Sequence, residues 1–377
     1  MKRLSSYTMR LVAVGIVAAI VVSGGNAKAD FTFGEPTPLD ATINSGENIC
    51  LECISADGLE LYLSNPMNGK INSMIWDLYV SKRATIDDPW PVPTSLGPTV
   101  NSSSYDAYAC LSSDGLELYF TSQRSGGYGR YDIWVTTRDS KWAEWGVPAN
   151  LGPTINTSGF DMSPWITTDG LELYFASDRP GALGGDDIWV SRRAYTNDPW
   201  QTPENLGPVV NSTGIDFYPC LSPDGLVLFF SDWDSSSGPY RPGGLGKSDM
   251  WMTRRKSTTA PWETPVSLGI GINTETWESE PRISADGGTL YFNSARPGGP
   301  GSFYNVWQAP IIPIVDFNGD RIVDAEDMCI MVDHWGTDNP LCDIGPMPWG
   351  DGIVDVQDLI VLAEHLFEEL PGRPIEP

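Results

Sequence analysis

The run Cys110-Leu111-Ser112-Ser113-Asp114-Gly115-Leu116-Glu117-Leu118-Tyr119-Phe120 decides the fold. A short apolar segment ending in serines meets Asp-Gly, and a second apolar segment rich in β-formers follows. Two such segments joined across Asp-Gly are the strongest short-range signal for a β-hairpin. The signal recurs at Asp57-Gly58, Asp169-Gly170, Asp224-Gly225 and Asp286-Gly287, roughly 55 to 62 residues apart. Second strands are expected at 59–63, 116–120, 171–175, 226–230 and 290–292. After a glycine-rich loop such as Arg179-Pro180-Gly181, each unit carries a third strand. It reads Asp77-Leu78-Tyr79-Val80, Asp132-Ile133-Trp134-Val135, Asp187-Ile188-Trp189-Val190 and Asp249-Met250-Trp251-Met252, with Asn305-Val306-Trp307-Gln308 as a degenerate fifth copy. Self-similarity at a fixed period marks a repeat architecture.

A fourth element closes the units: Trp90…Leu96-Gly97, Trp145…Leu151-Gly152, Trp200…Leu206-Gly207 and Trp262…Leu268-Gly269. Only four follow a third strand, and a related segment, Phe33…Pro38-Leu39, stands ahead of the first unit. Four strands per unit, repeated, is the pattern of a β-propeller, whose blades pack radially and leave only short edges. The expectation is an all-β, five-bladed propeller in which the N-terminal segment completes the last blade, residues near 33 pairing with residues near 306. Fifteen Trp and 14 Tyr with only 19% charged residues agree with a packed β core. Through Ser222-Pro223-Asp224-Gly225 and Arg179-Pro180-Gly181…Asp187-Ile188-Trp189, residues 44–310 resemble the secreted propeller repeats of the TolB family. The resemblance implies the fold and leaves the function open, because propellers host many unrelated activities.

Composition excludes some functions. With 23 basic against 49 acidic residues and a net charge of −26, the chain repels phosphate backbones, so nucleic acid is not an expected partner. The only histidines are His334 and His365, so the propeller is left without imidazole for Ser-His-Asp catalysis or His-ligated zinc. Lys2, Arg3 and Arg10, the apolar run 11–22 and Ala27-Lys28-Ala29 read as a signal peptide, too short to span a bilayer. The expected organisation is a signal peptide at 1–29, a propeller at 30–310, a linker at 311–315, a second module at 316–370 and a tail at 371–377. The mature chain is expected to be secreted or held at the cell surface, with no membrane span.

An acid precedes four of the five first strands: Asp106, Asp161, Asp216 and Glu278, each a few residues after Asn101, Asn156, Asn211 or Asn273. In the first unit Asn44 is kept, and Ile49 takes the acid's place. First strands line a propeller's channel, so these acids could ring one mouth and contact a cation or sugar hydroxyls. Alternatively each caps its own turn, and recurrence in nearly every repeat favours that role. The third-strand tryptophans read as packing between blades. Cys53, Cys110 and Cys220 share one repeat position, held by Trp165 and Arg282 elsewhere, which is no disulfide framework. Cys329 and Cys342 could bridge, but connectivity is not legible.

Beyond residue 315 the composition changes, with 15 acids against Arg321 and Arg373. Asp316, Asn318, Asp320, Asp324 and Asp327 stand at positions 1, 3, 5, 9 and 12 of a loop, with the Ile322 carbonyl at position 7. That is the oxygen-ligand spacing of an EF-hand type calcium loop. A helix with Met328, Met331, Val332 and Trp335 on one face is expected next. A second copy holds Asp351, Ile353, Asp355 and Asp358, followed by Leu359, Ile360, Ala363, Leu366 and Phe367. Calcium loop and single helix, twice over, resembles a type I dockerin. Arg321 replaces the usual glycine of the first loop, and the first acid of the second copy is Asp343, across the insertion 344–349. The resemblance implies Ca²⁺ as cofactor and a cohesin-like protein or cell-surface component as partner. The leading functional expectation is a non-catalytic exported binding or scaffold propeller. The alternative is a polysaccharide-degrading glycoside hydrolase, against which stands the lack of an asymmetric carboxylate pair.

Overall fold

The computed structural model describes residues 31–45, 48–66, 75–233, 241–301, 304–318, 322–337, 339, 342–345 and 353–367. The expected signal peptide and tail lie outside them. The chain opens with β1 (Phe31–Phe33) and β2 (Thr37–Pro38) and then builds four-stranded antiparallel blades. Blade 1 comprises β3 (Cys50–Ile54), β4 (Glu60–Pro66), β5 (Trp76–Lys82) and β6 (Thr94–Ser95). A single helical turn, α1 (Gly97–Val100), leads to blade 2: β7 (Asp106–Leu111), β8 (Glu117–Ser122), β9 (Asp132–Thr137) and β10 (Ala149–Asn150). Blade 3 is β11 (Asp161–Ile166), β12 (Glu172–Ser177), β13 (Asp187–Arg192) and β14 (Glu204–Asn205). Blade 4 is β15 (Ile215–Leu221), β16 (Val227–Trp233), β17 (Met250–Arg254) and β18 (Val266–Ser267). Blade 5 has β19 (Glu278–Ile283), β20 (Thr289–Ser294) and the long β21 (Asn305–Pro313). Two helices follow, α2 (Ala325–Asp333) and α3 (Val356–Glu364), and no helix among the described residues is long and apolar enough to cross a membrane.

The N-terminal closure is present, with a different register. Phe33 pairs with Ile311 and Phe31 with Pro313, while Pro38 pairs with Trp307. Two short strands therefore share β21, and residues 311–313, expected as linker, belong to blade 5. β21 keeps its outer length in the sheet because β1 satisfies backbone groups that would otherwise form an open edge.

The Asp-Gly turns work through side-chain hydrogen bonds. In blade 2 Ser112 Oγ donates to Asp114 Oδ1 (2.6 Å), which also accepts the Leu116 N–H (2.9 Å), while Ser112 Oγ accepts the Glu117 N–H (2.9 Å). Gly115 takes φ +73°, where a side chain is disfavoured. Arg138 then donates through Nε to the Gly115 carbonyl (2.7 Å) and lies 4.5 Å over Trp145, tying the third strand to the fourth element. Arg83 over Trp90, Arg193 over Trp200 and Arg255 over Trp262 repeat the clasp.

One apolar cluster fills each junction between blades, such as Leu118, Phe120 and Trp134 against Tyr62 and Leu78. Trp134, Trp189, Trp251 and Trp307 are all buried, which fits the packing role. Charge crosses the junctions too. Arg138 Nη2 donates to Glu60 Oε2 at 2.6 Å in a largely buried pair. Burial alone would raise the Glu60 carboxyl, but Arg138 and Lys82 hold it below its usual range.

Candidate functional site

The channel is shaped by a β-bulge in every first strand. Tyr108, Ser163, Tyr218 and Glu280 adopt positive φ (53–57°), a region costly for residues other than glycine, and such bulges re-aim side chains. The result is an aromatic network that crosses the axis. Tyr108 of blade 2 and Tyr218 of blade 4 meet edge-on at 5.1 Å, Tyr105 packs on Tyr108 (5.6 Å) and Tyr131 (5.2 Å), and Trp76 on Tyr105 (6.0 Å). Tyr131 stacks on Phe160 (5.5 Å), and Phe217 on Trp233 (6.1 Å), whose side is 45% exposed. These rings occupy the mouth away from the Asp-Gly turns.

The four sequence-selected acids lie at this end but are fully engaged. Asp161 Oδ2 accepts the Thr157 N–H (2.5 Å) and hydroxyl (2.9 Å), and its Oδ1 accepts from Ser177 Oγ (2.7 Å) and Arg179 Nη2 (2.6 Å). Asp106 is held by Ser102 and Arg124, Asp216 by Ser212 and Arg241, and Glu278 by Thr274, Ser294 and Arg296. All four carboxylates are buried. Each arginine also lies 5.3–5.6 Å over the third-strand tryptophan of its blade. Where the acid is Ile49, the position of the arginine is Met67 in the sequence, so both partners of the motif are missing together. The four acids bind turn and arginine rather than converging on a common point.

Two acids outside the repeat pattern stand at the same mouth, Asp178 exposed and Asp186 half-buried. Asp178 stands where Gln123, Trp233 and Ala295 stand in other blades, and Asp186 where Trp76, Tyr131, Ser248 and Tyr304 stand. Asp178 Oδ1 accepts the Phe160 N–H (2.7 Å) and lies against Gly159, where any Cβ would fall 2.0 Å from it. Burial, then the neighbouring Asp178, Asp161 and Asp187, push the Asp186 carboxyl up to about 6. In blade 4, Asp232 replaces the serine that supports the ring acid elsewhere, and burial pushes it up to about 7. Neither acid was among the sequence-selected residues; the signal that could have found them is their departure from the repeat.

Deeper in the channel lies a second group that the sequence did not reveal. Glu52 and Glu280 are 0% and 3% exposed. Glu52 Oε2 accepts the Ala109 N–H (3.0 Å), and Asn293 Nδ2 donates to Glu280. Beneath them a layer of Cys53, Cys110, Cys220, Trp165 and Arg282 fills the axis, with the Arg282 guanidinium 5.6 Å from the Trp165 ring and its Nε donating to the Glu52 carbonyl oxygen. The thiols are buried, and burial raises them, so they serve as small packing groups; all six cysteines are free. On the turn side of this layer is a cavity of about 1300 Å³, lined by Leu111, Trp165, Ile166, Leu221 and Ile283 and opening toward Arg192 and Arg255.

The C-terminal residues form a pair of matched loop–helix units. Asp324 and Asp355 cap α2 and α3, each in a reciprocal capping box with Asp327 or Asp358. Asp327 Oδ1 accepts the N–H groups of Phe317 (2.7 Å) and Asn318 (3.2 Å); Asp358 Oδ1 accepts those of Ile344 (2.6 Å) and Gly345 (2.7 Å). The match makes Asp343 the counterpart of Asp316, so the insertion lies inside the second loop. Among the described residues no three His, Cys, Asp or Glu side chains gather closely enough to hold a metal ion, and Asp320 and Asp351 lie outside the described residues. Ile322 and Ile353 are exposed at their loop positions. Met331, Val361 and Leu362 are buried with Val315, Val323, Ile344 and Val354. Val332, Trp335, Ile360 and Phe367, expected on the packed face, are exposed instead, because the core forms between the helices and the loop segments rather than along one helical stripe.

No protein-family model matches the sequence, and no curated protein does. Solved structures do. TolB of Acinetobacter baumannii is 14% identical with a TM-score of 0.38, covering 70% of this chain, which spans 54% of that one. A TolB from Agrobacterium tumefaciens is 15% identical with a TM-score of 0.36, over 74% of this chain and 99% of that one. An α-L-arabinofuranosidase from Podospora anserina is 12% identical with a TM-score of 0.48, over 76% and 98%. The chain thus has TolB and glycoside hydrolase propellers among its structural neighbours.

Proposed function

We propose that this chain is an exported, non-catalytic binding propeller that takes a polysaccharide at its aromatic mouth. The observation that carries the reading is the ring network Trp76–Tyr105–Tyr131–Phe160 with Phe217–Trp233, gathered at one mouth of the channel from four blades. Aromatic faces with a few polar groups suit binding sites, and sugar C–H surfaces stack on such rings while hydroxyls reach tyrosine and carboxylate oxygens. The net charge of −26 favours a neutral glycan over an acidic one. Glu52 and Glu280 are sealed from any substrate, and the four repeat acids are spent on arginines. Replacing Trp233 and Tyr131 by Ala tests the reading: retention on insoluble neutral polysaccharide should fall severalfold with the fold intact.

A second reading, glycoside hydrolysis, is favoured by one feature. Asp178 and Asp186 are the asymmetric carboxylates, and Asp186, pushed up to about 6, is suited to donate a proton. Reducing ends released by the wild type and lost in Asp186→Asn would establish it.

The C-terminal units support a dockerin-like tether to a cohesin-like protein or the cell surface. Their donor set is all oxygen, which suits Ca²⁺. Asp316, Asn318, Asp320, the Ile322 carbonyl, Asp324 and Asp327 would hold one ion, and Asp343, Asp351, Ile353, Asp355 and Asp358 a second.

A further inference from the structure

We propose that Glu52 and Glu280 hold one proton between them at neutral pH, and that this shared proton locks the seam between the last and first blades.

The two residues stand on opposite sides of that seam, Glu52 on β3 and Glu280 on β19. Two polar links nearby cross it. Arg282 of blade 5 donates to the Glu52 carbonyl, and the Leu51 N–H of blade 1 donates to Asn293 Oδ1 (3.2 Å), whose amide nitrogen donates to Glu280. The seam joins the two ends of the repeat array, and the chain crosses it only where β2, paired in blade 5, runs on into β3 of blade 1.

The local charge balance calls for a proton. Two buried carboxylates face a single guanidinium, and Arg282 already gives Nε to the Glu52 carbonyl and Nη1 to that of Pro281 (2.9 Å). One carboxylate is thereby left without a counter-charge in a low-dielectric site, and the inexpensive answer is to keep it neutral. Burial, and then Glu52, push the Glu280 carboxyl up to about 8, and burial raises Glu52 as well. The other groups facing the pair are Cys50 on β3, Tyr108 on β7, Tyr218 on β15 and Tyr304 ahead of β21. Burial raises all four, so they remain neutral through the same range. Hydrogen bonds link Glu280 to Tyr218, Tyr218 to Tyr108 and Tyr108 to Tyr105, so the proton also sits under the aromatic mouth.

The folded chain keeps a proton that the unfolded chain releases in the ordinary carboxylate range. Stability from this pair is therefore full below about pH 4.5 and declines as pH rises toward about 8. The test is thermal unfolding of the full-length protein at fixed calcium from about pH 5 to 9. The wild-type midpoint should fall by several degrees across that range, and Glu280→Gln, which supplies a permanent hydrogen-bond donor, should flatten the decline. A Glu280→Gln slope equal to that of the wild type would overturn the proposal. Should the variant fail to fold, infrared spectra decide: a protonated-carboxyl band present at neutral pH, retained in Asp232→Asn and lost by about pH 9 supports the shared proton, and its absence from Asp232→Asn at neutral pH refutes it. Neither readout involves a ligand, so the result stands apart from the binding reading.

Discussion

Asn44 grips Val306 by both backbone groups: the Val306 N–H donates to Asn44 Oδ1 at 2.8 Å, and Asn44 Nδ2 donates to the Val306 carbonyl at 3.1 Å. Asn101 holds Leu78, Asn156 holds Ile133, Asn211 holds Ile188 and Asn273 holds Met250 in the same way, each across 23 residues. At Asn44 the separation is 262. The same device that joins each blade to the next therefore also joins the fifth to the first. Asn44→Ala leaves the buried Val306 N–H without its side-chain acceptor, while the Val306 carbonyl keeps the Leu39 N–H (2.9 Å), a cost of about 1–3 kcal/mol. Chemical denaturation should show that loss with no change in the slope against denaturant.

Deleting residues 31–39 removes both β1 and β2 from β21 and takes Phe31 out of the cluster between blades 4 and 5. The truncated protein should melt well below the full chain and aggregate on heating, since β21 is left as an open edge. Differential scanning calorimetry checks this; an unchanged midpoint would mean that the ring closes without its N-terminal strands.

Asp161→Asn should weaken the fold and leave ligand retention alone. The side chain anchors Arg179, the Thr157 turn and Ser177 in a buried site, where loss of a charged partner typically costs 3–5 kcal/mol. Asp178→Asn, on an exposed carboxylate of the mouth, should show the reverse pattern: a normal melting curve and altered retention.

Much of this architecture was legible in the sequence because the repeat is local. Asp-Gly, the third-strand Trp and the Trp…Leu-Gly element each act within one blade, so spacing alone gave five units and an N-terminal closure. The register of closure was not legible: Phe33 pairs with Ile311 because β21 runs on to Pro313, and no local signal marks where a strand stops pairing. The repeat acids were visible, and their engagement with Arg124, Arg179, Arg241 and Arg296 explains their recurrence. Asp178 and Asp186 were hidden because attention to what repeats passes over what does not. Glu52 and Glu280 are 228 residues apart in sequence, and only closure of the ring brings them together.

Calcium should act on the C-terminal units and spare the propeller. Removing the ion from a loop of clustered carboxylates leaves them unscreened in a unit with a small core. Chelation should open residues 316–367 to protease while a propeller-sized fragment survives, and Asp327→Ala should imitate it for the first loop. Isothermal titration should count two ions if Asp343 serves as its match to Asp316 implies, and one if it does not.

Binding and cleavage are separated by a single measurement on the full-length chain. Incubated with insoluble neutral polysaccharides from plant and algal walls, the protein should leave the supernatant while no reducing ends appear, and Trp233→Ala should remain in solution. Reducing ends that accumulate with the wild type and vanish in Asp186→Asn would contradict the account and make the mouth an active site.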